Sequence, residues 1–370
     1  MKINPPRNPY RGLPSRQFWS TAMTEPAPGH VDPVVRAARI EPGHKIATMG
    51  SCFAQHLGRQ FAALGLQHFV AEAAPADMSP ADALANSYGI FSARYGNVYT
   101  ARQALQLFDR AFGQFHPQET VWAKDERFVD AFRPAVQPQG FADSTAVLAA
   151  AQAHLACVRE VLTQCDWLVL TLGLTEAWCS RVDGAIYGVA PGVAGGSFDA
   201  QRHIFVNFEA HEVRDDLGLF VQRLASINPR ARVLLTVSPQ PLIATYLPQQ
   251  VWTANTISKA RLRVAADEVE RAYPQCVYFP SYEVITSPAA GGRYYADDLR
   301  QVTTLGIEHV VRLFKRHFVD TVSGNDPLTT ANLEPPAKNA MGLAAASLTG
   351  NHGACDEELI AQSLRDAGLA

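Results

Sequence analysis

Hydrophobic positions along this 370-residue chain fall into two kinds of run, which alternate from about residue 40 to about residue 320. The stretches HKIATMG, CDWLVLTLG, RARVLLTVSP and QCVYFPSYEVI are short, densely apolar and rich in branched and aromatic residues, so they read as strands buried on both faces. Between them, residues 53–64, 146–163, 213–227, 254–272 and 304–318 space their apolar positions three and four apart, which predicts helices with one buried stripe. Strands that alternate with helices imply an α/β fold, a three-layer sandwich around a mostly parallel sheet. The loops at the carboxyl ends of its strands would then build the functional site.

The flanks differ from this middle. Residues 1–40 are rich in Pro and polar residues, with Tyr10, Phe18 and Trp19 as aromatic anchors, and read as an N-terminal arm packed on a domain spanning 41–320. Residues 321–370 turn to Ala, Gly, Ser and Asn with few large apolar side chains, the pattern of a mobile tail with a short terminal helix. No internal repeat of solenoid period is present.

Composition narrows the function classes. A hydrophobic share of 47% supports a large core, and a net charge of −3 gives no basic field of the kind that holds nucleic acid. The six cysteines lack the paired spacing of a zinc ribbon or redox dithiol, so no metal site is expected. The run MKINPPRNPYRGLPSRQFW contains no apolar stretch between a basic start and a small-residue cleavage site, so no secretory leader is expected in it, and no stretch reaches the roughly eighteen apolar residues of a membrane span. These features point to a soluble protein of a reducing cytoplasm.

The chemistry-bearing run is Gly50-Ser51-Cys52-Phe53-Ala54, where an apolar strand stops at a glycine and a helix starts at once. A thiol at a helix N-terminus gains thiolate character from the unpaired N–H groups and the macrodipole, and the same N–H groups can hold an oxyanion. The plain alternative is a small buried Cys52 beside a capping Ser51. His56 lies one helical turn further on and reads as structural.

This run resembles the motif that names the GSCFA family, largely bacterial proteins grouped with the SGNH (GDSL-like) hydrolases. The resemblance extends, less sharply, to Asn86-Ser87-Tyr88-Gly89, Leu170-Thr171-Leu172-Gly173, Thr236-Val237-Ser238-Pro239, Ser258-Lys259, Tyr278-Phe279-Pro280-Ser281-Tyr282-Glu283 and Tyr295-Ala296-Asp297-Asp298-Leu299. It implies an SGNH-hydrolase-like sheet with flavodoxin-like strand order. It also places Cys52 where those enzymes carry a nucleophilic serine and Ser51 where they carry an aspartate. Gly89, with Asn86 in the same loop, would supply an oxyanion N–H; Gly173 and Thr175 would form the second oxyanion turn, with Thr175 replacing an asparagine and Glu176 following. The late acid–base pair maps onto Asp298 and Gln301, and glutamine cannot take a proton.

A base for Cys52 must then come from elsewhere, and two histidines are candidates. His203 lies in a glycine-led polar stretch that reads as a site loop, and His309 lies on the last long helix; His203 is the favoured one, although either can also be structural. Ser238 ends a buried strand and would line the cleft or simply make the turn. Lys259 is either solvated or aimed at an anionic ligand. The expected activity is acyl transfer, by an esterase or O-acyltransferase with a small ester or saccharide substrate. No cofactor is called for beyond an acyl-thioester donor. The competing expectation is a carbohydrate- or acyl-ligand-binding protein with a degenerate site.

Overall fold

A computed structural model describes residues 8–319 and, near the C-terminus, Leu359, Ile360, Gln362, Ser363 and Arg365. In chain order the first elements are β1 (Lys45–Gly50), α1 (Phe53–Gln60), β2 (Gln67–His68), α2 (Pro80–Ala85), α3 (Ala101–Ala111), β3 (Val121–Lys124) and β4 (Arg127–Asp130). They are followed by α4 (Ser144–Gln164), β5 (Trp167–Leu172), β6 (Glu176–Ser180), β7 (Ile186–Tyr187), β8 (His203–Asn207) and α5 (Ala210–Ile227). The last are β9 (Arg232–Val237), α6 (Val251–Ala272), β10 (Cys276–Tyr278), α7 (Ser281–Ile285) and α8 (Thr304–Phe318).

Five strands form the central sheet in the order β10-β9-β5-β1-β2, every neighbouring pair parallel. Read from β2, this is the flavodoxin-like order, whose reversal beside β1 opens a crevice at the carboxyl ends of the strands. Because side chains alternate across a strand, the sheet has two apolar faces. Ala47, Met49, Leu168, Leu170, Leu235 and Val237 pack under α3, α4, α5 and α6. Ile46, Trp167, Val169, Leu234 and Val277 pack under α1, α7 and α8. The three-layer α/β sandwich expected from the alternating pattern is therefore the observed fold.

Before β1, the Ile40 N–H donates to the Phe318 carbonyl at 2.7 Å, and Ile40 bridges Val319. Most of the tail reading for 321–370 falls outside the described residues. Among the described residues, α4 is long and apolar enough to cross a membrane by length and composition alone, although Ser, Thr, Gln, His, Arg and Glu interrupt its apolar positions. Here its Val147, His154, Val158, Val161 and Leu162 are buried in the fold.

Two small antiparallel sheets, β3-β4 and β7-β6-β8, form a layer that no apolar run announced. The stretch read as a glycine-led loop with His203 is instead partly strand β8, which pairs with β6 from Glu176↔Asn207 to Ser180↔His203. Trp122, Val129, Ala131 and Tyr187 close this layer, with Leu359 packed against them.

Candidate functional site

The site is built at the end of β1. Gly50 has φ +131°, and a Cβ there would meet the Thr171 carbonyl oxygen at 2.2 Å, so only glycine lets β1 run this close to β5. The Ser51 N–H then donates to the Thr171 carbonyl at 3.1 Å, and the chain turns into α1 with Cys52 as its N-cap. Cys52 is partly buried, and its Sγ lies 3.3 Å from Asn97 Oδ1. It is disulfide-bonded in this structure, while Cys157, Cys165, Cys179 and Cys276 are free. Beside Cys52, the hydroxyls of Ser51 and Thr171 are buried without a hydrogen-bond partner, an arrangement native interiors seldom leave unexplained.

The turn after β5 forms the facing wall. Gly173 is squeezed between Tyr99 and Ser51: a Cβ there would approach a Tyr99 ring carbon at 3.0 Å and the Ser51 Cβ at 3.2 Å. The Gly173 N–H donates to the Tyr99 carbonyl at 2.9 Å, and its own carbonyl accepts from Lys259 Nζ at 2.6 Å. Thr175 Oγ1 lies 2.6 Å from Asn207 Oδ1 and 3.1 Å from Ser258 Oγ, and Ser258 Oγ also accepts the Thr175 N–H at 3.0 Å. With one hydroxyl hydrogen to give, Thr175 spends it on the amide oxygen. This corrects the expectation for both residues: neither the Gly173 N–H nor the Thr175 hydroxyl is an idle oxyanion donor.

Lys259 is buried at 1% exposure, and burial pushes its pKa down to about 7 with Arg300 adding to the effect. The choice between a solvated and a ligand-facing lysine is settled by neither: it is a buried brace on the Gly173 turn. Ser238, at the end of β9, is buried too; its N–H donates to the Leu172 carbonyl at 2.8 Å and its Oγ accepts from the Gln240 N–H at 3.3 Å.

The remaining sequence candidates are placed elsewhere. Gly89 is exposed with φ +69° and open space where a Cβ would go, and Asn86 caps α2 by donating to the Asp82 carbonyl at 2.8 Å. Among the described residues, neither hydrogen-bonds to the Cys52 turn. His203 is buried with Nδ1 accepting from the Asp199 N–H at 3.1 Å and Nε2 at 3.3 Å from Glu119 Oε2. It sits at the far end of β8 from Asn207, about 13 Å away at ~3.3 Å per strand residue. His309 is also buried, with Nδ1 2.7 Å from the Tyr294 hydroxyl and Nε2 2.9 Å from the Val31 carbonyl. Burial lowers its pKa to about 4, and it pins the N-terminal arm to α8. Asp298 is exposed and accepts the N–H groups of Arg300 and Gln301, both at 2.9 Å, so it shapes its own turn. Glu176 accepts from Thr245 Oγ1 at 2.7 Å and from the Tyr246 N–H at 3.2 Å, holding the loop after β9.

Asn97 and Tyr99 belong to the candidate site and were missed, while Asn207, expected with His203 in a substrate-binding loop, is instead the hydrogen-bond partner of Thr175. The only sequence signal for Asn97 and Tyr99 is position just before a helix, with Thr100 capping α3, and nothing in that pattern shows which residue of the turn reaches back to Cys52. The nearest histidine along the chain is His56 on α1, kept neutral by burial, which lowers its pKa to about 4. Among the described residues no group of three or more His, Cys, Asp or Glu could hold a metal ion.

Fold and site together define a doubly wound α/β protein with a strand-to-helix turn, carrying Cys52, on the sheet's carboxyl edge. Residues 45–314 match the GSCFA family, and the chain belongs to it. No curated protein matches the sequence. Among solved structures, a mutant of Axe2, an acetyl-xylooligosaccharide esterase from Geobacillus Stearmophilus, is similar at 13% identity and a TM-score of 0.30, over 76% of this chain and 96% of that one. A carbohydrate esterase family 2 enzyme with its carbohydrate binding domain, from Corynascus thermopiles, is similar at 14% identity and a TM-score of 0.25, over 66% of this chain and 58% of that one.

Proposed function

We propose that this protein is an acyl-transfer enzyme, an esterase or O-acyltransferase, whose nucleophile is Cys52 in its reduced form. The observation that carries the reading is the placement of Cys52 as N-cap of α1, at the carboxyl end of a central parallel strand, beside the buried and unpartnered hydroxyls of Ser51 and Thr171. A helix start presents backbone donors to a developing oxyanion, and the two hydroxyls are further polar groups able to meet a substrate oxygen. The sulfur attacks the acyl carbonyl and the alcohol or thiol leaves with a proton. Water or a sugar hydroxyl then releases the acyl group from the thioester. Since the disulfide removes the nucleophile, reduction must precede turnover.

Intact-protein mass after incubation of reduced protein with activated esters and acyl thioesters tests this directly. One acyl adduct on wild type and none on Cys52→Ala is the expected result. Equal labelling of both proteins would sink the proposal.

A second reading, a binding protein that keeps the fold without turnover, is favoured by one feature. Gln301 stands exposed where an acid–base histidine would be, and His203 and His309 are tied up elsewhere. Saturable binding of an acetylated saccharide by reduced protein, with no adduct and no hydrolysis over a broad panel, would select it.

A further inference from the structure

A cavity of about 30 Å³ lies against α3, lined among others by Asn97, Gln103, Gln106, Arg110, Phe132 and Arg133. That is room for about two waters. The charges around it do not balance. Among the described residues, Arg94, Arg110 and Arg133 face two carboxylates, Glu72 and Asp130. His154 does not change the sum: it meets Glu72 through Nδ1 at 2.7 Å, and burial lowers its pKa to about 4, so it is neutral at pH 7.

Two of the arginines are satisfied. Arg133 binds Asp130 at 2.8 Å and the carbonyls of Arg94 and Ala150 at 3.1 and 2.9 Å. Arg94 spends its donors on the carbonyls of Asn86 and Val136, the Tyr88 hydroxyl and the Gln137 amide oxygen. Arg110 is different. Its guanidinium stacks 3.7 Å over the Phe132 ring, and among the described residues it donates no hydrogen bond and forms no ion pair. Burial lowers its pKa to about 10, with Asp130 opposing and Arg133 reinforcing the shift. Gln103 turns its amide oxygen to the N–H groups of Tyr99 and Thr100, which leaves its amide hydrogens without an acceptor among the described residues.

We propose that this cavity is a subsite for a small monovalent anion, a carboxylate or a halide, held by Arg110 and Gln103. One surplus positive charge calls for one negative charge. Gln103 and Arg110 are partly buried, so their donors without protein acceptors are open to a ligand or to water, and a guanidinium fork suits a carboxylate. The small volume accepts a carboxylate head or a halide. Asn97 lines this cavity and also meets Cys52 Sγ, so the anion sits one side chain from the candidate nucleophile. A carboxylate is what ester cleavage releases; that link to turnover rests on the Cys52 reading, whereas the binding does not.

The test is thermal melting of the full chain in sodium formate, acetate or chloride, at ionic strength held constant with a bulky sulfonate. Wild type and Cys52→Ala should both show a saturable rise in midpoint of about 2 °C or more with the small anions. Arg110→Gln should show none. Formate and acetate acting at lower concentration than chloride would assign a carboxylate, and the reverse order a halide. Crystals of wild type grown in bromide add a readout independent of the variant's folding, with an anomalous peak expected at Arg110. No small-anion effect in wild type together with no peak would overturn the proposal as a water-filled cavity. Loss of acyl labelling with anion binding intact would overturn only the Cys52 reading.

Discussion

The Cys52 sulfur lies 3.3 Å from the side-chain oxygen of Asn97, a residue 45 positions along the chain on a different segment of the rim. An uncharged amide oxygen at that distance can accept from a thiol without adding a negative charge beside the sulfur. A carboxylate there would disfavour the thiolate. In reduced protein, Asn97→Asp is therefore expected to slow alkylation of Cys52 by iodoacetamide at pH 7 about tenfold, the effect of roughly one pKa unit. Site-resolved mass spectrometry checks it. An unchanged rate would mean that Asn97 does not govern the thiol.

The strand-to-helix turn depends on a glycine at position 50. Any side chain at position 50 meets the Thr171 backbone and must also adopt φ +131°. Gly50→Ala is expected to cost about 3 kcal/mol or more, since backbone strain and overpacking add. Gly89→Ala, at φ +69° with open space around it, should cost only about 1 kcal/mol and leave acyl labelling of Cys52 intact. Urea unfolding of the two variants checks the contrast, and equal losses would count against it.

The central sheet and its long helices were legible in the sequence because burial on both faces leaves an uninterrupted apolar run, as in Trp167–Leu172 and Arg232–Val237. The Cys52 turn was legible too, since strand, glycine and helix follow within a few residues. The β6–β8 layer was not. Its strands are short and half-buried, and β8 mixes His203 and Asn207 with apolar residues, a composition that reads as loop. The partners of Cys52 and Gly173 were hidden for a different reason. Asn97, Tyr99 and Lys259 reach the site only through long-range packing of α3 and α6, which no local period encodes. The same blindness sent the search for a base to His203 and His309, whose ring nitrogens turn out to be committed to structural partners.

His309 makes that commitment measurable. Its folded pKa of about 4 lies below the ~6.5 of an unfolded histidine, so between these values the unfolded chain binds the extra proton. The stability it contributes is present above about pH 6.5 and is lost as pH falls towards 4. His56, His68 and His154 are lowered to about 4 as well, and their slopes add. Replacing His309 by glutamine, which cannot titrate, should flatten one proton's share of the loss between pH 6.5 and 4 in urea midpoints. An unchanged slope would show that the Tyr294–His309–Val31 pin does not hold in solution.

Lys259 gives a slope at the other end of the pH scale. Burial first, and Arg300 second, bring its pKa from 10.5 to about 7, so between those values the unfolded chain again binds one more proton than the folded one. Stability should therefore rise with pH from about 7 towards 10, as the buried ammonium sheds its charge while its nitrogen can still donate to the Gly173 carbonyl. Lys259→Met removes that proton and should cancel this share of the slope relative to wild type. Because buried charges are costly, the variant should be at least as stable as wild type near pH 7. The Gly173 turn loses its brace in the same variant, so the rate of acyl labelling at Cys52 should fall even where stability does not. Urea midpoints across pH 7–10, measured with labelling rates on the same two proteins, separate the effects. Matching slopes would mean that Lys259 is protonated and solvated, and that the turn beside the nucleophile is held by something else.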